Sequence, residues 1–398
     1  MEFGPGPQLI WGPNAAGKTT LLEAVVLLAL GRSHRTTTDS ELIRWGTDFL
    51  RIDGVMARAG DKGPETTVAA GADGAAGELM EAPPYEDPRT ESAARAPAAH
   101  GTTGTALELT LQAGGRKKIQ VNGIPRRPAA LAEHLRTVLF APEEMLLVVG
   151  PPTLRRAALD GLTAPHDPSY GSYLATYGRA LQQRNSLLRA IREGEADRDQ
   201  LRFWDEPFLA SGAAIVAARL RLLELLTEPL ATAHREIAPT EGRLEIGYAA
   251  NAAPLPGETP RDALARRLRD TADKEVWNGS TLIGPHRDDL VFSLDGRDLA
   301  TFSSRGQQRT AILALKLAEL DLLTALDGRP PLLLLDDVFS ELDPARRGHL
   351  VRRLAGLPQA LITTTDLDDI DADLRRQARP WRVVPNEAGG ASVVEGSA

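Results

Sequence analysis

The octapeptide GPNAAGKT, Gly12 to Thr19, constrains this chain more than any other stretch. It follows a short apolar run, Gln8–Trp11, and leads straight into a second, Thr19–Leu30, which Gly31 ends. A strand, a Gly-rich loop and a helix start in that order present backbone N–H groups at a helix N-terminus, where anions bind. In the spacing G-x-x-x-x-G-K-T the backbone of Gly12, Pro13, Asn14, Ala15, Ala16 and Gly17 wraps phosphate oxygens, with Thr20 just beyond. Lys18 reaches the β and γ phosphates, and the Thr19 hydroxyl is a Mg²⁺ ligand. The expected ligands are therefore ATP and Mg²⁺.

Such a site needs a carboxylate, and LLLLDDVFSELD supplies two. Four leucines bury a strand and Asp336 emerges at its end, placed to hold the Mg²⁺ shell. Asp337 is placed to polarise or orient an attacking water. Taken alone, adjacent acids at a strand end also fit a solvated turn; the phosphate loop upstream favours the metal. Lys18, Asp336 and Asp337 are thus the candidate catalytic residues.

A second Gly-containing loop, SSRGQQRT, opens an amphipathic helix shortly before that strand. Ser304, Arg305, Gly306 and Gln307 form a natural anion site without a lysine of its own. SELD, Ser340 to Asp343, follows the paired acids.

Composition narrows the rest. There is no cysteine, which excludes disulfides and Cys-ligated zinc, and the seven histidines show no paired metal spacing. No apolar run nears the roughly 20 residues of a membrane span, and the N-terminus lacks a signal-peptide pattern, so a cytoplasmic location with no membrane partner is expected. The net charge of −8 gives the molecule no general attraction to nucleic acid, so DNA binding would need a local basic face. Arg116–Lys117–Lys118, Arg126–Arg127 and Arg155–Arg156 are the candidates, though each singly reads first as solvated surface.

The strand–helix pattern at both ends, with helices between, predicts one α/β head built from two chain segments and interrupted by a helical insertion. The head's first part spans 1–150, the helical arm or lobe 151–279, and the head's second part 280–398. Residues 59–105 are poor in large apolar side chains and read as a disordered insertion. Two long helices are expected, one with a stripe of Leu174, Tyr177, Leu181, Leu188 and Ile191, the next with Ile215, Leu220, Leu223 and Leu226. TVLFAPEEMLLVVG reads as a buried strand, and Asp295–Gly296 as a hairpin turn.

Several stretches together resemble one family closely. They are GRSHRT (31–36), FAPEEMLLVVGPPTLRRAALD (140–160), YLATYGRALQQRNSLL, GPHRDDL (284–290), SSRGQQRTAILALKLAE and LLLLDDVFSELD. They are similar to the RecF family of ATP-binding-cassette/SMC-like P-loop ATPases. That resemblance implies an SMC-type head with a short helical lobe. It implies a trans role for Ser304, Arg305, Gly306 and Gln307 at the γ-phosphate held by a partner copy, with Asp343 in the loop crossing the same interface. It further implies ATP-dependent homodimerisation on double-stranded and gapped DNA, weak hydrolysis, and action with RecR and RecO in loading RecA, in replication repair and the SOS response.

Departures from the pattern are specific. The family's first strand before the phosphate-loop strand is not evident here. Thr364–Thr365–Asp366 stands where cassette ATPases carry a switch histidine, Asp337 replaces their glutamate, and FAPEE has no glutamine. Arg305 stands where glycine is usual. A slow switch is expected. The competing readings are a nucleotide-binding scaffold without hydrolysis and a cassette ATPase subunit of another system.

Overall fold

Apolar runs from opposite ends of the chain meet in one parallel sheet, which is how the phosphate loop and the paired acids come together. The computed structural model describes residues 1–36, 38–57, 66–70, 104–386 and 390–396. In chain order its first strands and helix are β1 (Glu2–Phe3), β2 (Gly6–Trp11), α1 (Lys18–Leu30), β3 (Phe49–Ala57), β4 (Thr66–Ala70), β5 (Gly104–Gln112), β6 (Lys117–Val121), β7 (Ile124–Pro125) and β8 (Thr137–Phe140). A helix-rich stretch follows, with α2 (Leu146–Val149), α3 (Pro152–Thr163), α4 (Tyr170–Glu193), α5 (Leu201–Ile237), β9 (Leu244–Ala249) and α6 (Pro260–Asn278). It continues through β10 (Asp289–Leu294), β11 (Arg297–Asp298), α7 (Leu299–Phe302) and α8 (Arg305–Asp327). The chain closes with β12 (Leu332–Asp336), α9 (Pro344–Ala355), β13 (Gln359–Thr364), α10 (Ala372–Gln377), β14 (Arg379–Pro385) and β15 (Ala391–Glu395). Residues 1–140 with 331–398 form one unit and 141–330 a second.

The first unit holds two sheets. One has strand order β15-β14-β2-β13-β12-β8, all parallel except the terminal hairpin strand β15. The other is antiparallel, in the order β1-β4-β3-β5-β6-β7. Helix α1 touches strands of both, and its buried residues run unbroken from Leu22 to Ala29. A helix apolar on every side has to be covered on every side, and TLLEAVVLLAL meets that requirement.

In the second unit α4 and α5 pack along each other, closed by α6, over a core of Tyr170, Tyr177, Phe208, Ile215, Leu264 and Ile283. The small antiparallel sheet β11-β10-β9 completes it, with Asp295 and Gly296 at positive φ in the β10–β11 turn, as expected. Helix α8 packs against α5.

Four expectations are corrected. The divisions fall at 140/141 and 330/331, so α8 and the Ser304 loop group with the helices rather than with the second head segment. Within 59–105, Thr66–Ala70 is a strand between β1 and β3, and β5 already begins at Gly104. Cross-strand pairing overrides the poor local composition there, while 58–65 and 71–103 lie outside the described residues. The run from Thr137 is strand only to Phe140, because Pro142 cannot donate to a ladder and opens a single 3₁₀ turn. Leu220 is exposed on α5, whose buried face runs through Leu222, Leu223 and Leu226.

Candidate nucleotide site

Parallel pairing brings the functional strand ends to one edge. Trp11, the last residue of β2, registers with Thr364, and Asp336, the last of β12, registers with Thr363. The phosphate loop leaves β2 at Gly12, where any Cβ would stand 2.6 Å from the Val383 carbonyl oxygen of the neighbouring β14. Only glycine fits there. Gly17 holds a φ of 100° directly before α1, a conformation that side-chain-bearing residues rarely adopt.

Asn14, Ala15, Gly17, Lys18, Thr19 and Thr20 line a cleft of about 340 Å³, opposite Asp336 and Asp337. Gly12, Pro13 and Ala16 shape the loop behind this lining, with the Ala16 N–H donating to the Pro13 carbonyl at 3.2 Å. Lys18 Nζ donates to the carbonyls of Gly12 at 2.7 Å and Pro13 at 3.0 Å. The Thr19 hydroxyl donates to Asp336 Oδ1 at 3.2 Å, and the Thr363 hydroxyl reaches the same oxygen at 2.6 Å. Hydroxyl and carboxylate oxygens so placed are the hard donors that Mg²⁺ takes.

Asp337 reaches the same cleft because its φ is +50°, which breaks the alternation of the strand. Its N–H donates to Thr363 Oγ1 at 3.0 Å, and its carbonyl accepts from Ser340. Burial raises the Asp337 carboxyl above its ordinary value, and Asp336 adds to that against the pull of Lys18. Burial likewise lowers the Lys18 ammonium, against the opposing effect of both aspartates. Acid and base are both pushed toward neutrality although they attract each other. A bound polyphosphate with its cation answers both effects.

Two further residues belong to this cleft, Arg35 and Thr365. Arg35 is aimed by its own turn. The Ser33 hydroxyl accepts from the N–H groups of Arg35 and Thr36, and itself donates to buried Glu23 on α1. Glu23 also lies 3.6 Å from the Arg35 guanidinium. The SHR triplet just after the phosphate-loop helix was the available signal. A larger depression of about 500 Å³ lies against Asp48, Phe49, Arg51 and Gln112, but it gathers no comparable set of convergent polar groups.

The Ser304 loop is a capping box at the start of α8. Ser304 Oγ accepts from the Gln307 N–H at 3.2 Å and Gln307 Oε1 accepts from the Ser304 N–H at 2.9 Å, with Arg305 and Gly306 exposed beside them. Asp343 does not join the cleft. It caps α9, accepting the N–H groups of Ala345 and Arg346 and pairing with the Arg346 side chain, and the backbone bond from Arg346 leads in lowering its pKa.

Among the basic candidates, Arg116, Lys118, Arg126 and Arg127 are exposed. Lys117 is tied to the Gly31 carbonyl and to Asp39, both at 2.8 Å. Arg155 is buried. It forks onto Asp289 and donates to the carbonyls of Leu147, Val148 and Gly150, while Arg156 donates to the Asp288 carbonyl. These internal contacts account for Arg155 without nucleic acid.

GPHRD (284–288) is likewise held by internal contacts, an irregular segment that leads into β10 and is tied down by buried polar groups. His286 Nδ1 meets the Tyr177 hydroxyl at 2.6 Å, and Gly284 leaves no room for a Cβ beside that hydroxyl. Asp288 accepts from Tyr248 and from the Asn251 N–H, and Arg219 spans Asp160 and the Pro285 carbonyl.

Known proteins resemble this chain over nearly its whole length. Residues 1–68 match the AAA domain family. The DNA replication and repair protein RecF of Chloroflexus aurantiacus is 39% identical over 403 residues, covering 96% of this chain and 93% of its own. A solved structure of the recombination mediator protein RecF–ATP in the RecFOR pathway aligns with a TM-score of 0.79 at 31% identity, over 99% of this chain and 93% of that one. An Smc head bound to the C-winged helix domain of ScpA shares the fold alone, with a TM-score of 0.50 at 11% identity over 99% of this chain and 91% of that one.

Proposed function

This chain belongs to the RecF family, and from that premise we propose that it is an ATP-gated DNA repair protein whose two copies close on each other's nucleotide. The convergence of Lys18, Thr19, Asp336 and Asp337 in one cleft carries the reading. Lys18 and the loop amides bind the phosphates, and Arg35 adds a second cation at the rim. Thr19 and Asp336 would hold Mg²⁺, which when bound neutralises phosphate charge. Asp337 orients the attacking water.

Ser304, Gly306 and Gln307 of one copy then cap the γ-phosphate held by the other. Arg305 supports that role. A cation in the first turn opposes the helix dipole, and an incoming anion reverses the penalty. Because these contacts exist only in the closed dimer, ATP shifts the equilibrium toward it. On this reading the dimer clamps double-stranded DNA at gaps and acts with RecR and RecO in loading RecA, supporting replication and the SOS response.

A second reading, nucleotide binding without turnover, draws on the short acid at Asp337 and on Thr365 lining the cleft where a switch histidine would stand. Phosphate release measured with and without gapped DNA separates the two. A slow, DNA-stimulated rate supports the switch, and zero release with saturating ATP supports the scaffold.

A further inference from the structure

Trp45 stands with 98% of its surface in water, at the tip of a turn that holds it there. The Thr47 N–H and hydroxyl both donate to the Arg44 carbonyl, at 3.1 and 2.8 Å, and Gly46 takes a φ of +83°. Trp45 is therefore the second residue of a tight turn whose third position favours glycine. An indole presented in this way serves no core.

A second exposed ring follows four positions on, at the start of β3. Ile52 and Gly54 of that strand face inward with Leu107, Leu109 and Leu111 of β5 and with Ile119 and Val121 of β6, all buried. Alternation sends Phe49 and Arg51 to the outer face, where Phe49 is 47% exposed at a place that calls for a polar side chain. Register carries that face across the sheet. Phe49 lies opposite Gln112, and Arg51 opposite Thr110, which lies opposite Lys118 in turn. The Ala113 N–H donates to the Asp48 carbonyl at 2.8 Å, so the β5–β6 turn is tied to the segment that carries both rings. Phe49, Arg51, Thr110 and Gln112 wall the 500 Å³ depression between them.

Charge selects the occupant. Arg51 pairs with Asp53 and Glu108, so it shapes the depression without adding net charge. Across 44–48 and 112–118 the charges are Arg44, Arg116, Lys117 and Lys118 against Asp48, and Lys117 is held by Asp39. An apolar protein surface laid over this face would strip water from cations it could not pair. Exposed rings flanked by cations fit a chain of bases and phosphates, and only unpaired bases have a face to offer the rings.

We propose that the outer face of β3, β5 and β6, with the Trp45 turn, is a binding site for single-stranded DNA. Unpaired bases stack on Trp45 and Phe49, Thr110 and Gln112 meet base edges, and Arg116 and Lys118 meet phosphates. This rests on the DNA-binding reading given above and assigns the unpaired strand of a gap its own place on the chain.

The test titrates the full chain carrying Trp45→Ala, a change at an exposed turn, with an oligothymidylate of about 20 nucleotides and with a blunt duplex at matched salt. Affinity for the single strand should fall about tenfold or more, the size of a lost base stack, while affinities for duplex and for ATP stay within about twofold. Trp45→Phe should recover most of the loss. Arg116→Gln with Lys118→Gln should flatten the log–log salt slope of single-strand binding by about 0.7 per charge removed, and Trp45→Ala should leave that slope unchanged. Wild-type single-strand affinity in Trp45→Ala overturns the proposal and leaves the rings to a protein partner. A wild-type chain that binds duplex but not the single strand overturns this proposal alone; one that binds neither with saturating ATP overturns the DNA-binding reading first.

Discussion

The Thr363 hydroxyl donates to Asp336 Oδ1 at 2.6 Å while accepting the Asp337 N–H at 3.0 Å, so one side chain on β13 orients both acids of the cleft. Thr363→Val keeps the β-branched shape and removes both bonds. The Mg²⁺ concentration needed for half-maximal ATP binding should rise about tenfold, the size of one lost charge-assisted hydrogen bond. Titrating a fluorescent ATP analogue against Mg²⁺ checks this, and a wild-type Mg²⁺ dependence would contradict it.

Asp337 is held at positive φ with its carboxyl raised by burial. A carboxyl raised in the folded state costs stability when ionised. That cost is complete above the folded pKa and disappears as pH falls below the ordinary aspartate value. Asparagine tolerates the left-handed conformation and cannot ionise. Asp337→Asn should raise the Tm at pH 7 by about 1–2 °C and abolish phosphate release, with the Tm gain vanishing near pH 4. A lower Tm at pH 7 would show that Lys18 attraction outweighs burial.

His286 is held neutral, its pKa lowered to about 4 by burial first and by Arg287 next. The unfolded chain takes up that proton near pH 6.5 and the folded chain does not. Stability should thus fall as pH drops from about 6.5 to about 4, by at most about 1.4 kcal/mol per unit from this group. Denaturant unfolding of His286→Gln should show a shallower fall over that window, and an identical slope would remove His286 as its source.

These sites differ in how openly the sequence displays them. Gly12–Thr19 and Leu332–Asp337 are local patterns, complete within a dozen residues, and the parallel sheet follows from their strands. The roles of His286 and Asp288 depend on Tyr177 and Tyr248, and Arg155 on Asp289, partners roughly 40 to 130 positions away. No local pattern carries such a pairing. β4 was hidden for a related reason, since its strand state rests on β3 and β1 rather than on TTVAA itself. Arg35 was visible as a residue but not as a cleft residue, because its direction comes from Ser33 and Glu23.

Arg155 separates a structural from a DNA-binding reading. Arg155→Ala leaves Asp289 and three carbonyls without their shared donor. The expected cost is about 3–5 kcal/mol of stability. The salt dependence of any DNA binding should stay unchanged, since Arg155 releases no counterions. A flatter salt slope at unchanged stability would return Arg155 to the DNA surface.

The ATP-gated dimer is decided by sedimentation velocity with saturating Mg·ATP and duplex DNA. Wild type should shift from monomer to dimer when ATP is added. Lys18→Ala should stay monomeric because it no longer holds nucleotide, and Ser304→Arg should stay monomeric while still binding it. A wild-type chain that remains monomeric under these conditions would contradict the account.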